Sequence, residues 1–159
     1  MSQVESVTIL IVDDEEMVLT SIRSFLAIET DYEVLAYTSP RQALAELDHH
    51  PIDLVISDYL MPEMDGIAFL AKVKERYPQA PRILLTGYAD KENAIKAIND
   101  VGLYQYIEKP WNNDDLHLII RNGLEKTLLL RKLEEKIREV EKAQQELGDV
   151  QKQILRLFQ

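Results

Sequence analysis

The sequence predicts an α/β protein with a parallel sheet between two layers of helices. Three observations lead there. Five short apolar runs alternate with segments whose apolar residues recur at helical spacing. The runs are near-continuous rather than strictly alternating, as expected of strands covered on both faces. Four of them stop on polar groups, and an open parallel sheet binds its ligands outside the carboxyl ends of its strands. β-α units joined by right-handed crossovers then give the layered arrangement.

Each element has its own signal. Val7–Val12 reads as the first strand, and Glu15 to Ile28 as an amphipathic helix carrying Val18, Ile22, Phe25 and Leu26. Tyr32 to Tyr37 is a second strand. Ser39-Pro40-Arg41-Gln42 supplies a capping residue, a first-turn Pro and a Gln three after the cap. The helix it starts carries Ala43, Leu44 and Leu47 and ends near His49-His50-Pro51. Ile52 to Ser57 is the third strand and delivers Asp58 to its tip. A third helix starts around Asp65-Gly66, shows Ile67, Leu70 and Val73 on one side, and stops at Tyr77-Pro78. Arg82–Leu85 is the fourth strand, and Asp90 caps a fourth helix bearing Ala94, Ile95 and Ile98. Leu103–Glu108 is the fifth strand. The fifth helix opens at Asn112-Asn113-Asp114-Asp115, where caps and first-turn acids suit the positive end of a helix dipole.

That last helix is expected to run on to the final residue. From Leu130 a heptad frame fits, with Leu130, Ile137, Gln144, Gln151 and Phe158 at a positions and Leu133, Val140, Leu147 and Ile154 at d. Such a seam calls for a partner, and a parallel homodimer is expected. Residues 126–159 are therefore a coiled-coil dimerisation segment following a domain of residues 1–125. The chain stops mid-heptad, so a longer protein with an output domain beyond Gln159 is expected.

Composition narrows the function. With 159 residues, 46% hydrophobic and 29% charged, the chain can build one domain plus an appendage. It has no cysteine, hence no disulfide framework or thiolate metal site. Neither a signal segment nor a bilayer-length apolar run occurs, so a cytoplasmic protein without a membrane partner is expected. The net charge of −10 lies in residues 1–111, with 19 acids and 9 bases; residues 112–159 carry nine of each. No face concentrates Lys and Arg, which speaks against direct nucleic-acid binding.

The chemistry sits at the strand tips. Asp13, Asp14 and Asp58 are hard oxygen ligands of the kind Mg²⁺ favours beside phosphate. Asp58 can act as a nucleophile toward a phosphoryl group, with Lys109 neutralising one oxygen and the Thr86 hydroxyl donating to another. Taken singly, each has a plainer reading: Asp13-Asp14 as a helix cap, Asp58 as a turn former, Thr86-Gly87 as loop, Lys109 as surface charge. Their combination at successive strand tips favours the chemical one.

The motifs Val12-Asp13-Asp14-Glu15, Asp58-Tyr59-Leu60-Met61-Pro62 with Asp65-Gly66, Thr86-Gly87-Tyr88 and Tyr106-Ile107-Glu108-Lys109-Pro110 carry a resemblance. Over about residues 6–125 the chain resembles a receiver domain of two-component response regulators. The resemblance implies a flavodoxin-like (βα)5 fold with sheet order 2-1-3-4-5. It implies Asp58 as phosphoacceptor, Asp13, Asp14 and the backbone carbonyl of Leu60 as Mg²⁺ ligands with Asp58, and Lys109 as the phosphate-binding lysine before a cis Pro110. Thr86 and Tyr106 are the implied switch pair, repacking the face of the fourth helix, fifth strand and fifth helix on phosphorylation. Leu60 and Tyr88 hold positions that tune dephosphorylation in relatives. The implied partner is a sensor histidine kinase or phosphotransfer protein, and the implied activity is self-catalysed phosphoryl transfer without enzymatic turnover. Two other classes are weighed: a receiver-fold dimerisation or scaffold module independent of phosphorylation, and an aspartyl-phosphate phosphatase. The intact acids and lysine speak against the first. The second lacks a general acid close after Asp58. His49, His50 and His117 are too scattered for a metal site.

Overall fold

The computed structural model describes residues 6–158, with the side chains of Tyr88 and Ala97 excepted. Five parallel strands form one sheet in the order β2-β1-β3-β4-β5. They are β1 (Thr8–Val12), β2 (Glu33–Tyr37), β3 (Leu54–Asp58), β4 (Arg82–Thr86) and β5 (Gln105–Glu108). Five helices follow them: α1 (Glu16–Glu29), α2 (Pro40–Glu46), α3 (Gly66–Arg76), α4 (Lys91–Asp100) and α5 (Asn113–Leu157). The expected fold class and strand order are both found.

Every residue of β1, β3 and β4 is buried, which is why these strands read as unbroken apolar runs. Strand geometry divides their side chains between two faces. Leu10, Val12, Val55 and Leu84 share a cluster with Ala43 of α2, Phe69, Leu70 and Val73 of α3, and Ala94 of α4. Ile9, Ile11, Leu54, Ile56, Ile83 and Leu85 alternate with these and point the other way. On that side α5 comes close at Gly123, where a Cβ would lie 3.5 Å from Leu54 Cδ1. The ring of Phe25 in α1 meets His117 in α5 edge-on at 6.0 Å. Phe69 is fully buried; truncating it to Ala would cost about 3–5 kcal/mol.

Local rules explain the ends. Ser39 caps α2, its Oγ accepting from the Gln42 N–H, and Pro40 opens the helix. Asp65 caps α3 by accepting from the Ala68 N–H at 2.8 Å. Asn112 does the same for α5, accepting from Asp114 N–H at 2.7 Å. Two expectations shift. The buried stripe of α1 is Leu19, Ile22 and Leu26, with Val18 and Phe25 at its borders. In α4, Ala94 is buried, but Ile95 and Ile98 stay exposed. Asp90 closes a 3₁₀ turn, Tyr88–Asp90, ahead of α4.

At the other end of the sheet, Arg82 is buried and its guanidinium donates to the carbonyls of Ala80 and Gly102, both at 3.0 Å, and Pro78 at 3.3 Å. Gly102 has φ of 67°, a left-handed conformation that favours glycine.

The chain divides into two compact units, the first closing at Leu124 and the second running from Glu125. In the second unit the helix carries exposed apolar residues along its length, among them Leu133, Ile137, Val140 and Leu147. No helix among the described residues is long and apolar enough to cross a membrane.

Candidate functional site

Sheet order decides which side chains meet. Because β1 and β4 flank β3, the tips after Val12, at Asp58 and at Thr86 are neighbours. Beyond β5, the Lys109 N–H donates to the Thr86 carbonyl at 2.8 Å, which carries the lysine to the same place. Its Nζ donates to Asp13 Oδ2 at 3.0 Å and lies 3.1 Å from Asp58 Oδ1. Glu15 Oε1 is 4.0 Å away. The Lys109–Pro110 peptide is cis, as the resemblance implies.

The three acids are not equivalent. Asp13 is fully buried and Asp58 is 7% exposed, whereas Asp14 faces solvent. The other oxygen of Asp13 accepts from the Glu15 N–H at 2.9 Å, so this carboxylate is fixed on both sides. Burial pushes the Asp58 carboxyl up to about 6; the Asp13 charge adds to the rise, and Lys109 opposes it. Asp13 is also raised, chiefly by burial, against the pull of the Glu15 amide and Lys109. Burial alone would lower the Lys109 amine, but its hydrogen bonds and charge pairing with Asp13 and Asp58 outweigh that and raise it.

Asp13, Asp14 and Asp58 each offer an oxygen, all within 4.8 Å of one another. Two buried carboxylates this close, held by a single lysine, leave negative charge uncompensated. Hard oxygen donors with a solvent-facing member fit Mg²⁺, which keeps waters and phosphate oxygens in its shell.

Thr86 is fully buried at the tip of β4, and its Oγ1 has no hydrogen-bond partner. A buried hydroxyl left so costs about 1–3 kcal/mol. Tyr106 is half-buried and packs against the central cluster. Its register partner is Leu84, two residues before Thr86, so Thr86 and Tyr106 share one face of the sheet.

The loop after β3 folds back on the site. Gly66 N–H donates to the Tyr59 carbonyl at 2.7 Å, and a Cβ on Gly66 would lie 2.1 Å from the Asp58 carbonyl oxygen. The loop turns at Glu63, whose φ is 77° and whose carboxylate meets Arg41 at 3.2 Å and Ser39 Oγ at 3.1 Å. Leu60 is exposed in this loop. The side chain of Tyr88 lies outside the described residues. Trp111 Nε1 donates to Asn113 Oδ1 at 3.2 Å, at the start of α5. Two contributors escaped the sequence reading. Glu15 stands in the acidic motif without an assigned role. Gly66 lies in a motif whose spacing does not show the reason for it, the close approach to the Asp58 backbone.

The fold and site define a doubly wound α/β domain with acids, a threonine and a lysine at its strand tips. Residues 9–121 match the response regulator receiver domain, and the chain belongs to that family. It is 38% identical over 118 residues to the hydrogenase transcriptional regulatory protein HoxA of Cupriavidus necator, covering 74% of this chain and 24% of HoxA. It is 40% identical over 127 residues to a putative response regulator NtrX-like protein of Rickettsia bellii, covering 79% of this chain and 26% of that one. The chain thus spans about a quarter of the length of these relatives. Among solved structures, it is similar to the signal receiver domain of an HD domain-containing protein from Pseudomonas fluorescens Pf-5. That match has a TM-score of 0.76 and 36% identity, and covers 83% of this chain and 96% of that one. Receiver domains serve phosphorylation-dependent signalling, take their phosphoryl groups from histidine kinases and use Mg²⁺ at the acidic site.

Proposed function

We propose that residues 1–125 are a phosphorylation-operated switch with Asp58 as phosphoacceptor. Residues 126–159 then pair two copies through the exposed apolar stripe of the helix. The observation that carries the switch is the buried, unpartnered Thr86 hydroxyl on the strand tip next to that of Asp58, at the residue whose carbonyl accepts from the Lys109 N–H. A donor with nothing to donate to is explained by a phosphoryl group arriving on Asp58.

The donor is a phosphohistidine of a sensor kinase or phosphotransfer protein. An Asp58 carboxylate oxygen attacks its phosphorus in line; the O–P bond forms as the P–N bond breaks, and the electron pair leaves with the imidazole. Lys109 keeps Asp13 and turns its remaining donors to a phosphoryl oxygen. Thr86 donates to another, and Tyr106 turns inward to fill the space on the same sheet face. Asp13, Asp14, Asp58 and the Leu60 carbonyl would hold Mg²⁺, which supplies positive charge against that of the phosphoryl group. The surface that changes includes Ile95, Ile98, Tyr104 and Leu118, which are exposed. The reaction is a single self-catalysed transfer, and the chain itself touches neither nucleic acid nor membrane.

Acetyl phosphate with Mg²⁺, read by intact mass, tests this. One added phosphoryl group, lost in Asp58→Asn, is expected. Absence of any adduct would favour a scaffold that works without phosphorylation, and rapid release of phosphate a phosphatase.

A further inference from the structure

The exposed apolar residues of the second unit do not follow one heptad frame. Leu130, Leu133, Ile137 and Val140 are spaced by three, four and three residues. From Val140 the next apolar position is Ala143, again three on. Leu147, Val150, Ile154 and Leu157 then continue in steps of four, three, four and three. Two steps of three in succession break the repeat. Under an unbroken frame, Gln144 and Gln151 would be buried on the axis while Val150 and Leu157 stayed in water. With the break, Gln144 and Gln151 return to solvent and the stripe is apolar throughout.

We propose that this face pairs with a second copy of the chain in parallel, and that the interface changes phase at Val140–Ala143. The inference rests on the homodimer proposed above and adds where its axis runs. Leu133, Val140, Leu147 and Ile154 lie on the axis in either case. Ala143, Val150 and Leu157 replace Gln144, Gln151 and Phe158 beside the last three. A second copy is the fitting occupant. A stripe of steps of three and four along one helix is complementary to itself. Residues 126–159 carry six acids and eight bases, a small net charge that sets little repulsion between two copies. Lys136, 3.3 Å from Glu139 of its own helix, holds the flanking position that faces the partner's Glu141 in a parallel pair. An inserted step of three overwinds a coiled coil locally. It turns the buried face by about 50° relative to an unbroken seven-residue repeat.

The chain has no cysteine, so single cysteines report contact without background. Cys is placed in the 159-residue chain at each of Leu133, Val140, Leu147, Ile154, Val150, Leu157, Gln144 and Gln151. Disulfide dimers are scored after mild oxidation. The expected pattern is rapid linking at the first six and slow linking at Gln144 and Gln151. Rapid linking at Gln144 and Gln151 with slow linking at Val150 and Leu157 overturns the phase change and leaves the dimer standing. No linking even at Leu133, Val140, Leu147 and Ile154, or linking only near the middle as in an antiparallel pair, overturns the parallel homodimer itself. In sedimentation, Val150→Gln is expected to weaken self-association about tenfold or more, with Gln151→Ala near wild type; the reverse order refutes the phase change.

Discussion

Burial of Asp58 gives a stability that depends on pH in a defined direction. The folded chain holds this carboxyl at about 6 against an ordinary value of 3.8. The folded state therefore binds more protons than the unfolded state across that window. Its extra stability is fully present below about pH 3.8 and is lost as pH rises through about 6. A gap of about two pH units corresponds to about 3 kcal/mol. With 7% of the residue exposed, solvent screening removes little of this. Asp58→Asn keeps the shape and deletes the charge. In chelator, at about pH 7.5, the variant is expected to be more stable than wild type by about 3 kcal/mol, and at about pH 4 the two should coincide. Urea unfolding of both proteins at several pH values measures the difference, and titrations of groups away from Asp58 cancel. Mg²⁺ added at the higher pH should narrow the gap by stabilising the wild type more. A difference that is flat with pH, or that grows toward acid, would refute the reasoning.

Other substitutions test the remaining parts. Thr86→Val removes the unpartnered hydroxyl at nearly constant shape; the unphosphorylated protein should gain about 1–2 kcal/mol by thermal unfolding, while any spectroscopic change on phosphorylation is lost. Gly66→Ala drives a Cβ against the Asp58 carbonyl and should cost about 3 kcal/mol or more in urea unfolding while lowering the yield of acyl phosphate. Gly148 has open space where a Cβ would go, so Gly148→Ala should raise helix stability by about 1 kcal/mol, seen as a higher circular-dichroism midpoint. Leu60, two residues after Asp58, exposes an apolar side chain, which we propose hinders a hydrolytic water. The Asp58 phosphate is thus expected to be long-lived and Leu60→Asn to shorten it severalfold; a wild-type lifetime of seconds, unchanged in the variant, would count against this.

Much of the domain was legible because burial on both faces makes β1, β3 and β4 read as uninterrupted apolar runs. Caps at Ser39, Asp65 and Asn112 marked helix starts for local reasons that need no tertiary context. What stayed hidden was relational. Adjacent acids in sequence do not disclose that Asp13 is sealed in and Asp14 faces water. That division depends on where the chain turns after β1. Nor does the pattern of α4 reveal that Ile95 and Ile98 stay uncovered, because periodicity shows an apolar face but not what lies against it. The sequence points Lys109 at a phosphoryl oxygen without showing what holds it beforehand. In the structure it is already engaged by two carboxylates, so an incoming group must compete for it. The roles assigned to Leu60 and Tyr88 depend on paths of approach that spacing cannot draw.

Arg82 gives the domain a fixed pole. One guanidinium gathers the carbonyls of Pro78 and Ala80 before β4 and of Gly102 after α4, a planar fork that a lysine could not reproduce. The far end of α4 is thereby tethered at its connection to β5, while its near end begins at the 3₁₀ turn beyond Thr86. A pull on the threonine would swing this helix about a hinge at Gly102 rather than slide it bodily. Displacement would then be greatest beside the acids and least at the rivet.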